Sequence, residues 1–176
     1  MIWLARHGET AYNAERRFQG QGQVGLSDRG REQARELAEE AAKIGFVSLW
    51  ASPLPRARET AEIVAERLGL EIVEEPRLME TDAGDWKDRP FADVEAEEPA
   101  LFNAFIAGDP DFAFPGGESF AAQQDRVVAA LEDIRAQGPL PALAVFHRNA
   151  IRLALERLHG RRLTMDEVPN GSLVAL

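Results

Sequence analysis

Short apolar runs of strand length alternate along this chain with longer amphipathic stretches whose apolar positions recur every three to four residues. The runs predict five strands, at residues 2–5, 46–51, 71–74, 141–146 and 172–176. The amphipathic stretches predict helices at residues 28–44, 55–68, 120–136 and 149–158. Regular alternation of strands and helices favours a mainly parallel sheet covered on both faces. The predicted fold class is therefore α/β, a three-layer α/β/α sandwich.

The segment 81–119 interrupts this alternation. It mixes glycine, proline and aspartate with six aromatic residues, and it is predicted to be partly helical around 91–107. Two interpretations stay open: a lid or substrate wall, or a helical connection whose aromatics complete the core. Because we find no internal repeat, low-complexity tract or linker, we interpret residues 1–176 as one domain with 81–119 as a cap-like insertion.

The chain is acidic, since 30 Asp and Glu residues against 20 Lys and Arg give a formal net charge of −10. This balance argues against bulk affinity for nucleic acid or an anionic membrane, but not against a small anionic substrate at a local basic cluster. No apolar run is long enough to span a membrane and no signal peptide is apparent, so we expect a cytoplasmic protein. The absence of cysteine excludes disulfides and thiol catalysis, and it fits an exported protein as well.

Two histidines directly follow apolar strands. His7 comes after the first strand, within Arg6-His7-Gly8, and His147 comes after the fourth. Because the carboxyl ends of parallel strands meet at one edge, we expect these side chains to share a pocket with Arg56, which begins the helix after the second strand. Imidazole can act as a nucleophile and arginine can clamp phosphate, although a buried core histidine and solvated arginines are the plainer interpretation of each residue alone.

Several further motifs accompany these residues in a fixed order across nearly the whole chain. They are Leu4-Ala5-Arg6-His7-Gly8-Glu9-Thr10 with Asn13, Leu26-Ser27-Asp28-Arg29-Gly30, Ser52-Pro53-Leu54 with Arg56-Ala57, Leu78-Met79-Glu80 with Gly84-Asp85-Trp86, Pro115-Gly116-Gly117-Glu118-Ser119, and Val145-Phe146-His147 with Ile151-Arg152. The ordered set resembles the histidine phosphatase superfamily, the phosphoglycerate-mutase-like proteins, and in particular its short phosphatases.

The resemblance implies a role for each member of the pocket. His7 would be the nucleophile that forms a phosphohistidine, and Arg6, Arg56 and His147 would hold the phosphoryl oxygens. Glu80 matches the family's general acid–base glutamate. No metal or cofactor is implied.

Other positions are expected to touch the substrate or to compete for a role. Asp82 is the alternative acid, since it belongs to the same acidic run as Glu80. Asn13, Gln19, Gly20 and Arg148 are the predicted substrate-binding residues. Arg148 departs from the family, which often has glycine after its second histidine; its side chain would either narrow the pocket, add a cation for a second anionic group, or point into solvent.

The function that the resemblance implies is a phosphomonoesterase acting on a small phosphorylated metabolite, without nucleic acid or membrane as partner. Exposed edge strands would also allow a homodimer. Three alternatives stay open: a phosphoglycerate mutase-type phosphotransfer, a noncatalytic phospholigand-binding protein, and a protein-phosphohistidine phosphatase. The family's mutases are longer, with extra segments that close the site, and the short protein phosphatases tend to lack a clear acid glutamate.

Overall fold

The computed structural model describes all 176 residues and places five strands in one sheet. The strands are β1 (Ile2–Arg6), β2 (Ser48–Ala51), β3 (Ile72–Glu74), β4 (Ala142–Phe146) and β5 (Leu173–Ala175). Their order across the sheet is β3-β2-β4-β1-β5. Only β5 runs antiparallel to its neighbour, so the predicted mainly parallel sheet is confirmed.

Seven α-helices connect and cover the strands. They are α1 (Ala11–Ala14), α2 (Asp28–Ala42), α3 (Pro55–Leu68), α4 (Phe91–Glu97), α5 (Pro99–Ala107), α6 (Phe120–Gln137) and α7 (Arg148–His159). None of them is long and apolar enough to cross a lipid bilayer. The four long helices match the predicted ones to within a few residues, whereas the short α1 was not predicted. It forms through a reciprocal capping box between Thr10 and Asn13 rather than through an apolar period.

The side chains of β4 alternate between two cores, as a strand buried on both faces requires. Ala142, Ala144 and Phe146 pack with α6 and α7 on one face of the sheet. Leu143 and Val145 pack with α2 and α3 on the other. Helices therefore cover both faces, which confirms the predicted three-layer α/β/α fold.

The segment 81–119 carries α4 and α5 and builds a third core that is dominated by aromatic rings. Phe18, from the loop after α1, stacks into this cluster with its ring centroid 5.1 Å from that of Trp86. Phe91, Phe105 and Phe114 belong to the same cluster and also line a cleft that contains Arg6 and His7. The segment therefore does both things that its composition suggested: it completes a core and forms a wall.

Candidate active site

The loop that leaves β1 holds His7 in place through contacts from distant parts of the chain. The His7 amide donates to Phe146 O on β4 at 3.1 Å, and Asn170 Nδ2 donates to His7 O at 3.1 Å. Gly8 lies against the first turn of α2, where a Cβ on Gly8 would sit 2.2 Å from Gly30 O. A side chain at Gly8 would thus push the loop away from α2. This close approach, and not the backbone dihedral angles, is the reason that position 8 needs a glycine.

The His7 ring is buried and is oriented by the backbone of its own loop. Its Nδ1 lies 2.7 Å from Gly8 O, and because a carbonyl oxygen only accepts, the neutral ring carries its proton on Nδ1. Burial and the charges of Arg56 and Arg6 hold the pKa of His7 well below its usual 6.5. The Nε2 atom is therefore unprotonated at neutral pH, and Arg56 Nε donates a hydrogen bond to it at 3.3 Å.

Two buried arginines accompany this nucleophilic nitrogen. Arg56, at the second position of α3, is anchored by donating to Gly20 O at 2.7 Å and to Gly22 O at 3.1 Å. Arg6 donates through one terminal nitrogen to Val168 O at 2.7 Å, while its buried Nε has no partner. Burial lowers the pKa of Arg6 to about 9 and that of Arg56 to about 10, so both stay cationic at neutral pH.

His147 lies beneath this group rather than in the wall of the cleft. It is fully buried, its ring centroid is 5.2 Å from that of His7, and its Nε2 lies 2.7 Å from Ser52 Oγ. Ser52 Oγ also accepts from the Leu54 amide, so its hydroxyl proton is free to go to His147 Nε2. With Ser52 as the donor in this hydrogen bond, the imidazole proton lies on Nδ1, which is buried and has no partner. Burial and the charge of Arg56 hold the pKa of His147 well below 6.5.

Glu80 reaches the same cleft and is held by neutral donors. Its Oε1 accepts from the Thr81 amide at 2.9 Å and from Gln123 Nε2 at 2.9 Å. Its Oε2 accepts from the Asn149 amide, at the start of α7, at 3.2 Å. Asp82 is exposed, bonds to the Gly84 amide and does not line the cleft, so of the two candidate acids the structure brings only Glu80 to the site.

The cleft has a volume of about 380 Å³, and the predicted substrate-binding residues all line it. Gln19 Oε1 accepts from Thr10 Oγ1 at 2.7 Å, and Gly20 supplies the carbonyl that anchors Arg56. Asn13 uses Oδ1 to cap α1 and leaves its Nδ2 without a hydrogen bond inside the protein. No cluster of three or more His, Asp or Glu side chains is placed to hold a metal ion.

Three residues support the site through contacts that sequence reasoning did not predict. Asn170 bridges His7 O and Asn13 Oδ1 with one amide nitrogen, Ser52 orients His147, and Gln123 holds Glu80. The Asn170-Gly171 pair is an ordinary turn signal, and it predicts a loop but not what that loop touches.

Comparison with known proteins agrees with this geometry. The family model described as histidine phosphatase superfamily (branch 1) matches residues 2–176. The chain belongs to this superfamily. Curated relatives named "Probable phosphoglycerate mutase GpmB" include one from Enterobacter sp. (strain 638), 41% identical over 75% of this chain, and one from Escherichia coli O1:K1 / APEC, 40% identical over 81%. The matches span 61% and 67% of those two relatives, so the chain covers roughly two thirds of their length or somewhat less.

Two solved structures of the superfamily cover nearly the whole chain. A mycobacterial glucosyl-3-phosphoglycerate phosphatase, complexed with VO3, matches with a TM-score of 0.86 at 31% identity, over 98% of this chain and 90% of its own. An Escherichia coli K-12 MG1655 protein, proposed as an alpha-ribazole-5'-P phosphatase, matches with a TM-score of 0.81 at 28% identity, over 98% of this chain and 87% of its own. Among these similar proteins, then, both phosphatase and mutase names occur.

Proposed function

We propose that this protein is a phosphomonoesterase that hydrolyses a small phosphorylated metabolite through a phosphohistidine on His7. The observation that carries the proposal is the state of His7: its proton is held on Nδ1 by Gly8 O, its pKa is depressed, and its unprotonated Nε2 accepts a hydrogen bond from Arg56 Nε. A neutral imidazole with a fixed tautomer is ready to attack phosphorus. The cleft volume of about 380 Å³ lies at the small end of the range for metabolite pockets.

In the first step, His7 Nε2 forms a bond to phosphorus while the bond from phosphorus to the ester oxygen breaks. Glu80 gives a proton to the departing oxygen. The two buried polar atoms near His7 that lack partners, Arg6 Nε and His147 Nδ1, would donate to phosphoryl oxygens. Arg56 would add its charge, so that the negative charge of the transition state is met by groups already in place.

In the second step, a water molecule replaces the alcohol. Glu80, now deprotonated, accepts a proton from this water as its oxygen bonds to phosphorus. The bond between Nε2 and phosphorus breaks, and inorganic phosphate leaves. Across both steps, ester and water become alcohol and phosphate, and His7 and Glu80 return to their starting states.

A mutase is the second candidate, because the curated relatives of 40–41% identity carry that name. The solved structures described above as phosphatases cover more of the chain, at 31% and 28% identity. A mutase would return the phosphoryl group to a bound acceptor, and it would need a phosphorylated primer to load His7. A phosphatase needs only substrate and water, and this difference decides between the two.

The test uses p-nitrophenyl phosphate, whose leaving group departs without help from an acid. Wild-type protein should release inorganic phosphate and nitrophenol continuously, without a bisphosphate primer. Glu80→Gln should still load His7 from this substrate but should discharge it about 100- to 10,000-fold more slowly, since water loses its base. The phosphoenzyme should therefore accumulate and be visible by intact mass, with the phosphate mapped to His7 by peptide analysis at alkaline pH.

The controls are His7→Ala and His159→Ala, the second of which lies exposed at the end of α7. We expect the first to lose activity and labelling and the second to keep both. If wild-type protein turns over only with a primer, the mutase takes the place of the phosphatase. If it shows no turnover above His7→Ala under either condition, the protein is a noncatalytic binder.

A further inference from the structure

Arg148 is the one arginine of this chain that is not exposed and yet has no partner. It begins α7 directly after His147, lines the cleft, and makes neither a hydrogen bond nor an ion pair. Arg16 lines the same cleft and is also unpartnered, although it is exposed. In a chain with 30 acidic residues, arginines that stay unpaired in a cleft are unusual, because a half-buried cation is costly without a counter-charge.

The charges of Arg148 and Arg16 act within the site, but these side chains are not part of the group that would hold the transferred phosphate. The charge of Arg148 acts on both Arg6 and His7, and the charge of Arg16 acts on Arg148. The carboxylates whose charges reach Arg148 are Glu80 and Asp166, and neither forms an ion pair with it. Glu80 is held by backbone and amide donors and Asp166 makes no ion pair with Arg148, so neither carboxylate of the cleft binds it directly.

We propose that Arg148 and Arg16 form a second anion-binding subsite, and that the substrate is a phosphomonoester bearing a second anionic group, a carboxylate or another phosphate. The proposal rests on the phosphatase function proposed above and deepens it. The guanidinium fork matches the geometry of either group, and both arginines have all their donors free. His7 and its surrounding donors bind the phosphoryl group that is transferred, and the second subsite fixes the rest of the molecule.

The exposed Asp166 opposes this subsite. It lines the cleft and its negative charge acts on Arg148 at a distance too long for an ion pair. A carboxylate there competes with an incoming anion without replacing it. Removing the charge should therefore strengthen binding of the second anionic group, whereas removing the charge of Arg148 should weaken it.

The experiment compares matched substrates within a single protein preparation. 4-Carboxyphenyl phosphate and 4-carbamoylphenyl phosphate differ in charge but hardly in shape. Phosphoglycolate and its amide, glycolamide phosphate, do the same for a shorter molecule. Ethylene glycol bisphosphate, compared with the less charged 2-hydroxyethyl phosphate, tests a second phosphate. The readout is the ratio of kcat/KM for the charged substrate to that for its neutral partner, because the fraction of folded or active enzyme cancels in this ratio.

We expect this ratio to exceed one in wild-type protein and to fall about 10- to 100-fold in Arg148→Gln, as for loss of a hydrogen bond to a charged group. Arg148→Lys should fall in between, and Arg16→Gln should lower the ratio less because Arg16 is exposed. Asp166→Asn should raise it. Arg157→Gln, on the exposed side of α7, is the matched control and should leave the ratio unchanged.

The outcomes separate the two proposals. If wild-type protein hydrolyses none of the phosphates, the phosphatase function itself is wrong. If it hydrolyses them with the same ratio in wild type, Arg148→Gln and Arg16→Gln, the phosphatase stands and the second subsite is refuted. A loss confined to the bisphosphate would identify phosphate as the second group, and a loss confined to the carboxylates would identify carboxylate.

Discussion

Burial of two neutral histidines side by side should make the stability of this protein fall sharply below about pH 6.5. The His7 and His147 rings lie 5.2 Å apart, both are fully enclosed, and burial and the nearby Arg56 lower the pKa of each well below 6.5. Above about pH 6.5 the imidazoles are neutral in both the folded and the unfolded chain. Below it, the unfolded chain takes up two protons that the folded chain refuses, so acid favours unfolding.

The size of this effect depends on the pKa of histidine in the unfolded chain. It hardly depends on the pKa in the folded chain, provided that this value lies well below the pH of the measurement. Each histidine then removes at most about 1.4 kcal/mol between about pH 7.5 and about pH 5.5, and the pair removes about 3 kcal/mol. Domains of this size are stable by only about 5–15 kcal/mol, so the loss is readily measured.

Urea denaturation of wild type and of the double variant His7→Asn with His147→Asn, at the two pH values, tests this reasoning. The pH-dependent loss of unfolding free energy should be smaller in the double variant by about 3 kcal/mol, whatever the variant costs in absolute stability. The same replacement at exposed His159 is the control for substituting a histidine as such. Equal losses in wild type and in the double variant would show that the buried pair takes up protons in the folded state.

Two further predictions concern groups that hold the site together. Gln123→Leu removes the amide that donates to Glu80 at 2.9 Å, and it should lower kcat for alkyl phosphates by about 10- to 100-fold in steady-state assays, while the exposed Gln137→Leu changes it little. Gly8→Ala places a methyl group 2.2 Å from Gly30 O and should lose most activity and about 1–3 kcal/mol of stability in thermal unfolding. Gly45→Ala, where φ is 77° but no atom lies within 4 Å of the new methyl group, should cost only about 1–2 kcal/mol and keep activity. Equal activity in these two glycine variants would refute the role of close packing at Gly8.

Local signals explain why the helices and strands could be predicted from the sequence. Residues 55–68 form α3 as predicted, because Pro55 suits the first position of a helix and Gly69 adopts the left-handed conformation that ends one. Every side chain of β4 is buried, as its continuous apolar run indicates for a central parallel strand. These features depend on neighbours in the chain, which a sequence displays directly.

The supporting contacts of the site could not be predicted in this way, because they join positions that are far apart in the chain. Ser52 is 95 residues from His147, and Asn170 is 163 residues from His7. Nothing in the residues around Asn170 indicates that its amide reaches the loop after β1. The position of His147 beneath the cleft could not be predicted for the same reason, since it depends on how α7, β2 and β4 pack together.

Glu80 links the charge balance of the site to the proposed chemistry. Its negative charge raises the pKa of Arg6, Arg56 and Arg148 against the effect of burial, so it helps to keep all three arginines cationic in the free protein. In the proposed reaction a phosphoryl dianion enters among these same arginines and takes over that role. Binding of the substrate would thereby release Glu80 from its role as the counter-charge of these arginines and leave it to serve the departing oxygen.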